Sequence, residues 1–74
     1  MTSRQRMAFL ILQMTYGYGS WSGALRLARL AALGSRNRTA LDAQRAVRAS
    51  LDAADAAMAT IGTPIESPGE LILA

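Results

Sequence analysis

The chain has no cysteine, no histidine and no lysine. Without cysteine there is no disulfide staple and no thiolate metal site. Without histidine it lacks the commonest metal ligand and the commonest general base. Aromatics are also scarce: one tryptophan, two tyrosines and one phenylalanine. There are two prolines, Pro64 and Pro68, both near the end. With 74 residues the chain makes one domain at most. A chain of this size buries only about 60–65% of its unfolded surface, so a core alone leaves it marginal. Small domains therefore lean on disulfides, a metal or a partner, and the first is excluded here.

What is present is alanine and arginine. Hydrophobic residues make up 51% of the chain, and 15 of them are alanine. All eight basic residues are arginine, for a net charge of +3. Residues 1–38 hold six arginines and no acid, while residues 39–74 hold two arginines and all five acids. That asymmetry suits an acidic partner for the front half, or head-to-tail contact between copies.

The pattern predicts an all-α fold. Two short apolar helices, over about residues 4–14 and 23–33, precede a long amphipathic helix over 40–61. Together they form a small helical hairpin or bundle, a helical domain over residues 1–62. An extended apolar tail occupies 63–74. Thr2 or Ser3 caps the first helix. Met7, Ala8, Phe9, Leu10, Ile11, Leu12 and Met14 cover nearly every direction of its wheel, with Arg6 and Gln13 as a narrow polar strip. Thr15 to Gly23 alternates glycine with Tyr16, Tyr18 and Trp21, and predicts a bent connector that presents three aromatics. Trp21 and one tyrosine could equally fill the core of a small bundle. Ser20 or Ser22 caps the second helix, and Gly34 stops it. Arg26 and Arg29 share one side of it.

The third helix starts at Thr39-Ala40-Leu41-Asp42, a capping-box-like sequence. Its stripe is Ala40, Ala43, Val47, Leu51, Ala54, Met58 and Ile61, spaced three or four apart. Arg48 and Asp52 are placed for an i,i+4 ion pair. Gly62 and Pro64 end the helix. The tail holds Ile65, Leu71, Ile72 and Leu73, and docks on the helices or in a groove of another chain.

Enzymatic signals are poor. Ser20, Ser22 and Thr39 have no histidine or lysine to activate them. Asp52 and Asp55 lie at i,i+3, a spacing as ordinary on a surface as in a site. Gly17-Tyr18-Gly19 has neither the preceding strand nor the lysine of a phosphate-binding loop. The five acids show no metal-ligand spacing. The sequence therefore predicts a non-enzyme with no cofactor, no metal and no small-molecule substrate.

Excess apolar surface is the main functional clue. The first two helices carry more than the third can cover, and the tail adds to it. This predicts a structural or accessory protein working through protein–protein contacts, as a homo-oligomer or a small subunit of a larger assembly. A phage or bacterial assembly component fits the size and composition, with a cytoplasmic or virion-associated location. The partner-binding candidates are Phe9, Leu10, Leu12, Tyr16, Tyr18, Trp21, Leu71, Ile72 and Leu73.

Two alternatives come from other classes. Met7 to Leu25 is 19 residues without a charge. Gln13, Thr15, Ser20, Ser22 and three glycines spoil it as a spanning helix, leaving attachment at a membrane interface. Met7–Leu12 is too short an apolar run for a signal peptide. The other alternative is a helix-turn-helix-like nucleic-acid binder. In it Arg36 and Arg38 reach phosphates, and Gln44, Arg45 and Arg48 face a groove.

Overall fold

A computed structural model describes residues 1–61, and they form three α-helices with no strand among them. The tail expected over 63–74, with Leu71, Ile72 and Leu73, lies outside the described residues, as does the helix stop expected at Gly62 and Pro64.

Helix α1 spans Ser3–Tyr16. Thr2 starts it with a reciprocal capping box. Its hydroxyl accepts from the Gln5 N–H at 3.1 Å, and the Gln5 side chain accepts from the Thr2 N–H at 2.9 Å. The helix runs two residues beyond the expected Met14. It stops only where Gly17 takes φ 78°, a left-handed turn that glycine adopts without steric cost.

Helix α2 spans Trp21–Ala32, so it begins two residues before the expected Gly23. The cause is Ser20, whose hydroxyl accepts from the Gly23 N–H at 3.1 Å and sets the first turn. The nine-residue aromatic connector thus shrinks to Gly17–Ser20. At the far end Gly34 takes φ 101°. Its N–H donates to the Ala31 carbonyl and the Ser35 N–H donates to the Leu30 carbonyl, each at 3.0 Å. This is a Schellman stop.

Helix α3 spans Arg38–Ile61. Asn37, not Thr39, caps it: the Asn37 side chain accepts from the Thr39 N–H at 2.8 Å. The Ser35 hydroxyl in turn accepts from the Asn37 N–H at 3.2 Å and shapes the approach. With the cap moved back two residues, the α2–α3 connection is only Leu33–Asn37.

Both short helices pack on α3, and they share far less contact with each other. Across their junction Phe9 and Trp21 meet edge-on, ring centroids 6.5 Å apart. The core joins Ala8 and Leu12 of α1, Trp21 and Ala24 of α2, and Ala46, Val47 and Ala54 of α3. Because α3 serves two neighbours, its buried arc is wider than the single expected stripe. Ala46 and Ser50 are buried beside Ala40, Ala43, Val47 and Ala54. Most of these are small, so helix axes can approach to the lower part of the usual range, about 8 Å. The same smallness makes the core thin, since a buried methyl contributes only about 0.8 kcal/mol.

Candidate interaction surface

The expected partner residues divide in two. Leu12 is fully buried and Trp21 is 9% exposed, so both are core residues of this chain rather than contacts for another. Phe9 and Tyr18 are half-buried against the same core. The physical reason is α3, whose alanine face lets α1 and α2 close over their own aromatics. Leu10 and Tyr16 stay outside, 51% and 45% exposed. The most exposed large apolar side chain of α1 is one that the expected set omits, Met14 at 85%. The polar strip of Arg6 and Gln13 marks this side. At 100° per residue Leu10 lies only about 40° from Arg6, and Met14 about 40° further. A second exposed group surrounds the α2–α3 turn: Leu30, Leu33 and Leu41.

The polar candidates are arranged differently. Arg36, Arg38, Arg45 and Arg48 are all exposed, and Gln44 is half-buried. Among the described residues the one ion pair is Arg4 with Asp55. The pair expected between Arg48 and Asp52 does not form. Both are exposed, and water solvates each without the entropy cost of holding two side chains together. Asp55, engaged by Arg4, is not free to share a site with Asp52.

A groove of about 420 Å³ runs between α2 and α3. Leu25, Ala28, Ala32, Val47 and Leu51 form its apolar lining. Arg29, Gln44 and Arg48 complete it with polar groups and no acid. It exists because Ala28 and Ala32 are too short to fill the space between the helices. Leu25 and Ala32, two turns apart on α2, share it with Gln44 and Leu51, two turns apart on α3. The two helices therefore run side by side, whereas a helix-turn-helix pair crosses at about 90–120°.

No helix among the described residues is long and apolar enough to cross a membrane. Comparison of the chain with protein-family models, with curated proteins and with solved structures finds no match in any of the three.

Proposed function

We propose that this chain is a structural or accessory protein that works by protein–protein contact, associating with copies of itself through the outer face of α1. The observation that carries the proposal is the pair Leu10 and Met14. They sit one turn apart on the same side of α1, 51% and 85% exposed. Isolated exposed leucines are ordinary, but two large apolar side chains exposed one turn apart make a patch that association can cover. The alanine-rich core adds weight, because a domain with so little large-residue burial gains most from a partner. A face repeated on each copy allows a two-fold contact, which buries the same residues on both sides.

The test is the oligomeric state of the full chain, compared with that of a Leu10→Glu, Met14→Glu variant. Concentration-dependent self-association lost in the variant supports the reading. Partition of the wild-type chain into lipid vesicles in place of self-association would favour the membrane-interface alternative.

A further inference from the structure

We propose that the α2–α3 groove docks an amphipathic helix of a partner protein, one whose apolar stripe is edged on both sides with glutamate or aspartate. The floor and the walls of the groove differ in chemistry. Val47 is buried and Leu25, Ala28 and Leu51 are half-buried, so they make an apolar floor. Arg29 on α2 and Arg48 on α3 are exposed, one on each wall. No acid lines the groove. A smaller depression beside it, lined by Ser22, Leu25, Arg26 and Arg29, extends the basic edge. Arg26, Arg29 and Arg48 have no carboxylate partner among the described residues. An apolar trough with a guanidinium on each wall is the complement of a helix with an apolar face and a carboxylate on either flank.

Length fits the same occupant. Leu25 to Ala32 and Gln44 to Leu51 each cover two helical turns, about 10 Å at 1.5 Å per residue. A helix laid in a trough of that length offers apolar side chains at i, i+3, i+4 and i+7, the spacing of helix-in-groove recognition. The small side chains of Ala28 and Ala32 let its axis approach closely. The described residues of a second copy do not supply this helix. Neither α1 nor α2 carries an acid. On α3, Asp42 and Asp52 stand three and four residues from Arg45 and Arg48, so that face is of mixed charge, and Arg4 holds Asp55. The groove lies on α2 and α3 and the self-association surface on α1, so the two proposals stand or fall separately.

The test uses a synthetic peptide of about 18 residues, long enough to hold a helix, with leucine at those positions and glutamate on both flanks. A second peptide carries lysine in place of every glutamate. The expected result is that the glutamate peptide shifts the Leu25, Val47 and Leu51 methyl signals of the full chain, and that the lysine peptide binds more weakly. Arg29→Glu with Arg48→Glu weakens binding of the glutamate peptide roughly tenfold and strengthens that of the lysine peptide, because two exposed attractions become repulsions. Both arginines are exposed, so this variant keeps its helix content, which circular dichroism checks. A groove left unshifted by the glutamate peptide overturns the proposal, as does equal binding of the two peptides. Shifts confined to Leu10 and Met14 on α1 do the same. So does occupation of the groove by decanoate where the peptide fails, which would assign it to a small anionic amphiphile.

Discussion

Arg4 holds Asp55 by both carboxylate oxygens, Nε to Oδ1 at 2.6 Å and Nη2 to Oδ2 at 2.9 Å. The contact ties the first turn of α1 to the C-terminal part of α3 across 51 residues of sequence. Hydrogen bonding from Arg4 draws the Asp55 carboxyl below its ordinary range; slight desolvation opposes this, and the Arg4 charge assists it. Both side chains are about half exposed, so the contribution is screened, and its main effect is to orient α1. A lowered folded-state pKa stabilises the fold at pH values above the unfolded value of about 3.9. The contribution is lost as pH falls through the lower folded value. Melting curves of wild type and Asp55→Asn should differ near neutral pH and converge in acid. A gap that persists in acid would assign the difference to something other than this pair.

Ser50 is fully buried, and its hydroxyl has no hydrogen-bond partner. It stands on the α3 face otherwise made of Ala43, Ala46 and Ala54. Burying an unsatisfied hydroxyl costs about 1–3 kcal/mol, and alanine is also the better helix former. Ser50→Ala should therefore stabilise the chain by about 1 kcal/mol, raising Tm by about 4–8 °C. A lower Tm would mean that the hydroxyl makes a bond after all.

Gly34 and Gly19 differ in what they do. Gly34 holds φ 101° in the stop of α2, and a Cβ there meets nothing within 4 Å. Its replacement by alanine is penalised by backbone strain alone, about 1–2 kcal/mol. Gly19 has neither positive φ nor a neighbour within 4 Å. Gly19→Ala should change stability by no more than about 0.5 kcal/mol. Thermal denaturation of the two variants compares the sites directly.

Leu12 and Leu10, two residues apart, separate folding from association. Leu12 is the largest fully buried side chain among the described residues, and truncation to alanine should cost about 2–5 kcal/mol. A core this small supplies only about 3–5 kcal/mol, so Leu12→Ala should largely unfold the chain in circular dichroism. Leu10→Ala should keep helix content and weaken self-association.

Much of this architecture is legible in the sequence, because caps and periodicity are local signals. Thr2, Ser20 and Gly34 mark helix ends by hydroxyl acceptance and a left-handed turn, and each acts as expected. Asn37 was hidden by the better-known pattern at Thr39, and only the bend from Ser35 brings its side chain to the Thr39 N–H. The surface division was harder to see. A wheel apolar all round cannot say which side faces α3, so Leu12 and Leu10 look alike until the fold separates them. Ser50 is a small residue that an apolar stripe skips, although its size suits the tight face. The Arg4–Asp55 pair joins distant turns, and no short-range spacing announces it.

Sedimentation velocity of the full chain across micromolar concentrations reads self-association through α1. The predicted result is a folded species larger than one chain, reduced to monomer by Leu10→Glu with Met14→Glu while helix content is kept. A folded wild-type monomer at every concentration would rule out self-association through α1.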